Sequence, residues 1–193
     1  GWQKNGVNIY LVSARVFHDG GAATSTVTEA IKYLGDQGCK VINLSLGHLS
    51  EGPPEPLYVD AINYVRALGS IVVVAAGNDN IDNDGTVKAY PADIPGVLKV
   101  SSVGPSRTKA SYSNYGGTIF IAAPGGDGAE GGPDAIWSTV PVAGSQLAPA
   151  SAGGYYSING TSMACPHVAG AIALLVASGG IESEIIAAIQ STA

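Results

Sequence analysis

Apolar positions recur along the chain with two different periods, and the alternation between them predicts strands and helices in turn. Short runs rich in β-branched residues are typical of strands, whereas apolar residues repeated every three or four positions are typical of helices. The strands predicted in this way cover residues 9–15, 41–46, 71–75, 96–103, 118–122, 135–140 and 155–158. The predicted helices cover residues 26–37, 57–68, 161–177 and 181–190.

The order of these elements favours an α/β fold with an open, mainly parallel twisted sheet flanked by helices. Residues 71–75 (IVVVA) form the clearest central strand, because four consecutive aliphatic side chains indicate burial on both faces. Ligands of such sheets bind at the carboxyl ends of the strands, so we expect the active edge there. Residues 142–154 are rich in Gly, Ser, Ala and Pro and predict a loop.

Composition narrows the classes of partner. The chain has 193 residues, of which 46% are hydrophobic and 12% are charged, so we expect one globular domain. The net charge is −6 and the nine basic residues are scattered, which argues against a nucleic-acid partner. No apolar run in the sequence reaches the roughly 20 residues that a bilayer span needs, so we expect no membrane partner.

A serine opens the most apolar predicted helix. Ser162 follows Gly160-Thr161 at the helix N-terminus, where free backbone N–H groups and the helix dipole stabilise an anion. An oxyanion formed beside Ser162 would therefore be stabilised. The spacing alone equally fits a helix cap, which is the commoner role for Ser or Thr at this position.

An asparagine follows the central strand. Asn78 comes directly after Ala75-Ala76-Gly77, where its amide N–H₂ can project into the crevice and donate to a developing oxyanion. The alternative is a turn residue, because Asn tolerates the left-handed conformation.

Taken together, these segments resemble the subtilisin-like serine proteases, or subtilases. The resemblance rests on residues 159–170 (NGTSMACPHVAG), and on residues 41–47 (VINLSLG), 75–78 (AAGN), 90–92 (YPA) and 123–125 (APG) in the same order. It covers nearly the whole chain. It implies a serine endopeptidase in which Ser162 is the nucleophile, while the Asn78 side chain and the Ser162 backbone N–H form the oxyanion hole.

The resemblance also implies how an extended polypeptide substrate would bind. A segment at the end of the second strand would pair with the substrate backbone, and a second segment would flank the substrate on its other side. The pocket for the primary substrate side chain would lie between the ends of two strands. The pairing segment consists of Ser45, Leu46 and Gly47, and the flanking segment contains Gly20 and Gly21. The pocket is formed by Ala75, Ala76, Gly77 and Ala89. Small, uncharged walls imply room for a large apolar side chain.

The chain lacks the family's motifs for the catalytic Asp and His. His18 and His48 are expected to face solvent or a pocket rim, and His167 is expected to point away from the nucleophile. We therefore expect residues 1–193 to be a partial catalytic domain that is inactive alone. An N-terminal segment of the same protease, or a separate chain, would supply Asp and His. The alternative is a protease-like scaffold that binds peptides without cleaving them.

The remaining motifs are weaker. Residues 80–85 (NIDNDG) match only the front of a calcium loop and favour a polar turn. Catalysis by the family requires no cofactor and no metal ligand is assigned, although the resemblance allows a structural calcium. Cys39 and Cys165 have no metal-ligand spacing and favour packing roles. The resemblance places the protein among secreted, extracellular proteases.

Overall fold

The computed structural model describes residues 2–4, 7–18, 21–145 and 147–192. In this part of the chain the helices are α1 (Thr24–Asp36), α2 (Pro56–Ala67), α3 (Thr161–Ala177) and α4 (Glu182–Thr192). The strands are β1 (Trp2–Lys4), β2 (Val7–Ile9), β3 (Val41–Leu44), β4 (His48–Ser50), β5 (Ile71–Ala75), β6 (Lys88–Tyr90), β7 (Leu98–Val103), β8 (Ile121–Pro124), β9 (Ile136–Thr139) and β10 (Tyr155–Ile158). None of these helices is long and apolar enough to cross a membrane.

A four-stranded parallel sheet with the order β3-β5-β7-β8 forms the centre of the fold. Strand β5 is buried along its whole length, and its side chains alternate between two apolar cores. Val72 and Val74 pack in the core with α1 and α2, whereas Val73 and Ala75 pack in the core with α3 and α4. The predicted α/β class with a parallel sheet between helices is confirmed.

Three short antiparallel pairs in the described part of the chain were not predicted, and the first joins β1 to β2. Strand β4 pairs with β6, with Leu49 opposite Ala89, and the outlying strand β9 pairs with β10 rather than with the central sheet. The β4 and β6 strands have three residues each, which is too short for a period of two to stand out from the sequence. Their pairing brings residues 48–50 beside residues 88–90, at the edge where the site lies.

The strand prediction for residues 9–15 is wrong. In the described structure strand β2 ends at Ile9, no strand is formed over residues 10–17, and Tyr10 and Leu11 are exposed. An apolar run becomes a strand only where a neighbouring strand takes up its backbone hydrogen bonds, and no described strand does so here. The prediction for residues 118–122 is shifted, because β8 begins at Ile121 and ends at Pro124 on the edge of the sheet.

Helix α3 begins and ends at the predicted residues, 161 and 177. It packs against β5 and β7 through Ala164, Cys165, Val168 and Ile172. Because this helix is anchored in the core, its N-terminus is held rigidly at the carboxyl ends of the central strands. This is the edge where the sequence predicts the active site.

Candidate active site

Ser162 is the second residue of α3 and its side chain is half-buried. The first N–H groups of a helix have no partner within the preceding turn. Here Asn78 accepts from the Thr161 N–H and the Gly160 carbonyl accepts from Met163 and Ala164, so the Ser162 N–H is the donor of this turn left without a bond among the described residues. Gly160, which precedes the helix, has a φ of 152°. A side chain is disfavoured there because that backbone conformation favours glycine.

Asn78 is oriented by Thr161. The carboxamide Oδ1 of Asn78 accepts hydrogen bonds from the Thr161 backbone N–H at 2.8 Å and from the Thr161 hydroxyl at 2.9 Å. The same hydroxyl accepts a hydrogen bond from the backbone N–H of Gly77 at 3.2 Å. Because both bonds to Asn78 fall on Oδ1, the N–H₂ group is the part of the amide left to donate elsewhere. Asn78 and Ser162 line the same cavity.

Ser45 and Ser162 hydrogen-bond to each other's backbone. The Ser45 hydroxyl donates to the Ser162 carbonyl at 2.9 Å, and the Ser162 hydroxyl donates to the Ser45 carbonyl at 3.4 Å. The Ser162 carbonyl is available because Pro166, four residues later in α3, has no N–H to offer it. Because Pro166 leaves the Ser162 carbonyl free, Ser45 can bond to it, and this bond connects the candidate nucleophile to the segment that follows β3.

The loop that carries Asn78 is held from behind by a buried asparagine. The Asn114 side chain donates to the Ala76 carbonyl at 2.9 Å and accepts from the backbone N–H groups of Asp79 at 2.9 Å and Ile81 at 3.3 Å. Gly77 has a φ of 106°, and a Cβ there would lie 2.3 Å from Asn114 Nδ2. Sequence reasoning missed Asn114, since its role depends on a contact with residues more than 30 positions away.

A cavity of about 350 Å³ opens beside Ser162. That volume lies within the usual range for a ligand pocket. Most of the predicted substrate residues line this cavity: Leu46, Gly47, Ala75, Gly77 and Ala89. Ser45 contacts Ser162 as described above, and Ala76 is fully buried behind the wall with its carbonyl bonded to Asn114.

Glycine is required where the two walls of this cavity meet. A Cβ on Gly47 would lie 2.9 Å from the Tyr90 carbonyl oxygen, which is closer than real Cβ contacts come. On the flank, Gly21 exchanges two backbone hydrogen bonds with His18, next to the lining residue Phe17. Gly20 lies outside the described residues.

The cavity is not free of charge, contrary to the sequence analysis. Asp79 and His48 also line it, and both are exposed. The rim position of His48 agrees with the expectation from the sequence, whereas Asp79 was missed because the small residues of the two walls do not show which loop side chains lie at the rim. The resulting pocket has small apolar walls and a polar rim.

None of the three histidines accepts a hydrogen bond from Ser162 in the described structure. His167 Nδ1 lies 2.8 Å from the Met163 carbonyl, His48 lies 3.8 Å from the Glu55 carboxylate, and His18 is exposed. His167 does line a second cavity together with Ser162, so the expectation that it lies away from the nucleophile holds only for its hydrogen bonding. The described residues therefore place no general base on the Ser162 hydroxyl.

The second cavity, of about 460 Å³, also borders Ser162. Its walls are largely apolar and come from the β9–β10 hairpin and from the first two turns of α3. Trp137, Leu147, Ile158 and Met163 are among its lining residues, and Trp137 is 53% exposed.

The acidic side chains of the 80–85 loop are hydrogen-bonded to backbone donors. The Asp84 carboxylate accepts hydrogen bonds from the backbone N–H groups of Gly117 and Thr118, and the Asp82 carboxylate accepts one from the Asp84 N–H. Among the described residues, no three His, Cys, Asp or Glu side chains converge as metal ligands.

Both cysteines are free thiols on opposite faces of the sheet. Burial raises the pKa of the Cys165 thiol to about 12, against weaker opposing effects of hydrogen bonds to Ser45 and Leu44. A thiol with so high a pKa is not a nucleophile near neutral pH. Cys165 packs in the core beneath α3.

Comparisons with known proteins concern the family and the fold of the chain. The sequence profile of the Subtilase family, Peptidase_S8, matches residues 4–193. Thermitase from Thermoactinomyces vulgaris is 38% identical over 186 residues, covering 95% of this chain and 57% of that protein. Subtilisin DY from Bacillus licheniformis is 33% identical, covering 88% of this chain and 54% of that protein. The chain thus spans little more than half the length of these relatives.

A solved structure of a protease from Pseudoalteromonas arctica PAMC 21717 superposes with a TM-score of 0.80 and 34% identity. It covers 92% of this chain, which in turn covers 54% of that structure. The nisin leader peptidase NisP from Lactococcus lactis superposes with a TM-score of 0.71 and 26% identity.

Proposed function

The chain belongs to the subtilase family, and on that premise we propose that it is the serine-bearing part of an endopeptidase that hydrolyses peptide bonds through an acyl-enzyme at Ser162. One observation carries the proposal. Asn78, oriented by its two hydrogen bonds to Thr161, lines the same cavity as the Ser162 side chain. A nucleophilic hydroxyl and an amide donor beside one pocket are the parts that acyl transfer requires.

The proposed reaction begins with an extended polypeptide lying along residues 45–47, with the primary side chain in the 350 Å³ cavity. Ser162 Oγ attacks the carbonyl carbon of the scissile bond, while a base takes its proton. The oxyanion that forms accepts hydrogen bonds from Asn78 Nδ2 and the Ser162 N–H. The proton then passes to the leaving amine, and water hydrolyses the resulting ester in the reverse sequence of steps.

The base is proposed to come from a segment that carries the family's Asp and His. Support comes from the absence of a base on Ser162 among the described residues and from the 57% coverage of thermitase. Large apolar side chains are also exposed to solvent near the start of the chain, where Tyr10 is 80% and Leu11 is 88% exposed. A segment that covers such surface and reaches the second cavity would complete the site.

We propose further that the cavity takes a large apolar side chain, because its walls are Ala75, Gly77, Ala89 and Gly47. The polar rim formed by Asp79 and His48 would contact the neighbouring substrate residue. No cofactor takes part in the proposed chemistry. We propose an extracellular location, and the resemblance to secreted subtilases supports it.

The test compares the full-length gene product that contains this chain with residues 1–193 alone, using a peptide p-nitroanilide with Phe at the cleaved bond. We expect the full-length product to release nitroaniline and the Ser162→Ala variant to release none. Residues 1–193 alone should be inactive. Binding of the peptide by the full-length product without any cleavage would overturn the proposal in favour of a binding scaffold.

A further inference from the structure

A lysine is buried in the central sheet. Lys99 is the second residue of β7 and is 2% exposed, and its side chain forms an ion pair with Asp93, whose side chain is 7% exposed. Its two strand neighbours, Leu98 and Val100, face the core beneath α3, so Lys99 faces the opposite side of the sheet. Lysine is almost never fully buried without a partner, and a buried pair is weak evidence for stability. The position of this pair therefore calls for an explanation.

The ion pair reaches the wall of the cavity beside Ser162. Asp93 offers one carboxylate oxygen to Lys99 and the other to the backbone N–H of Ala89, at 2.6 Å for the latter. The Asp93 backbone N–H in turn donates to the Ala89 carbonyl at 2.8 Å. Ala89 is a lining residue of the cavity, so the carboxylate fixes this wall from behind.

Lys99 also belongs to the opposite wall. In the sheet it is the register partner of Val74 in β5, which ends at the lining residue Ala75, two residues before the lining residue Gly77. Its ammonium donates a second hydrogen bond to the Thr118 hydroxyl at 2.8 Å. One side chain thus links the strand that ends in one wall to the carboxylate that holds the other.

We propose that the Lys99–Asp93 ion pair is a positioning element that sets the width of the pocket for the primary substrate side chain. The proposal rests on the proposed function of the cavity. Removing the Lys99 charge leaves the Asp93 carboxylate buried without its counter-ion, so the carboxylate turns towards water and releases the Ala89 N–H. The wall then relaxes, which disturbs a bulky substrate side chain more than a small one.

The test uses the full-length protease and peptide p-nitroanilides that differ only in Ala, Leu or Phe at the cleaved bond. Rates are divided by the concentration of active sites, titrated with a fluorophosphonate. For Lys99→Met we expect kcat/KM to fall about 30-fold for the Phe substrate, chiefly through KM, and less than about threefold for the Ala substrate. Lys40, an exposed lysine at the far end of the sheet, provides the matched control. Lys40→Met should leave kcat/KM unchanged for both the Phe and the Ala substrate.

A double variant keeps the test decisive if Lys99→Met alone does not fold. Lys99→Met with Asp93→Asn has no buried charge, and the asparagine oxygen can still accept from the Ala89 N–H. We expect it to recover the Phe substrate to within about threefold of the wild type, which is a coupling that independent sites would not show.

Equal losses for the Ala and Phe substrates after active-site titration, or a change in thermal midpoint alone, would show a structural role and overturn the inference. These outcomes are distinct from failure of the proposed function. If the proposed function were wrong, the wild-type protease itself would not react with the fluorophosphonate.

Discussion

Asn78 and Thr161 are joined by two hydrogen bonds that both end on Oδ1 of the asparagine, one from the Thr161 backbone N–H at 2.8 Å and one from its hydroxyl at 2.9 Å. This pairing links the end of β5 to the start of α3, two elements separated by more than 80 residues in the sequence. It fixes which end of the amide faces the cavity. The oxyanion hole proposed here depends on that orientation.

Asn78→Ala tests the donor directly. Because Nδ2 would bond to an oxygen that carries charge only in the transition state, its removal should lower kcat about 100- to 1,000-fold with little change in KM. Steady-state kinetics of the full-length protease on the Phe anilide measure both constants. Asn63→Ala, on the exposed face of α2, is the matched control. A large rise in KM at constant kcat would instead assign Asn78 to substrate binding.

Asn114 should act through Asn78. Asn114→Ala removes the hydrogen bonds to Ala76, Asp79 and Ile81, so the loop that carries Asn78 loses its fixed position. We expect kcat to fall about tenfold, equivalent to about 1.4 kcal/mol. The same substitution in an Asn78→Ala background should change kcat less than about twofold, because the donor it positions is already absent. An equal loss in both backgrounds would mean that Asn114 serves stability only.

The two cysteines should differ in reactivity. Cys165 is buried and its pKa is raised to about 12, whereas Cys39 is half-exposed. Iodoacetamide at pH 8 should therefore alkylate Cys39 in the folded chain and leave Cys165 unmodified until the chain unfolds, as read by peptide mass spectrometry. A Cys39→Ser variant isolates the buried thiol. Rapid alkylation of Cys165 in folded protein would contradict the burial described above.

The exposed carboxylate of Asp84 should titrate at low pH. The Gly117 N–H is the main cause that lowers the Asp84 pKa, and the Thr118 hydroxyl and N–H and the charge of Lys99 lower it further. Since the pKa is lower in the folded state, the stabilising effect is present above the unfolded pKa and is lost as pH falls through the folded value. NMR titration of the Asp84 side chain should show the low pKa, and Thr118→Val should raise it. An Asp84 pKa unchanged by that substitution would show that the Thr118 hydroxyl does not lower it.

Sequence patterns predicted the elements that are long and strongly periodic. Helix α3 and strand β5 were predicted at their observed residues, because α3 is apolar over four turns and β5 is buried on both faces. The three-residue strands β4 and β6 were missed, and residues 10–15 were wrongly assigned to a strand, since pairing depends on neighbours that are distant in sequence. Asn114 and the Lys99–Asp93 pair were missed for the same reason. Their roles arise only where the folded chain brings them behind the cavity.

The proposed nucleophile is tested most directly by mapping the site of covalent modification. The full-length protease is treated with a fluorophosphonate, digested and analysed by tandem mass spectrometry, beside Ser162→Ala and residues 1–193 alone. We predict one stoichiometric adduct on Ser162 of the full-length protease and none in either comparison sample. An adduct on another serine, or full peptidase activity in a sample that carries no adduct, would contradict the assignment of Ser162 as the attacking residue.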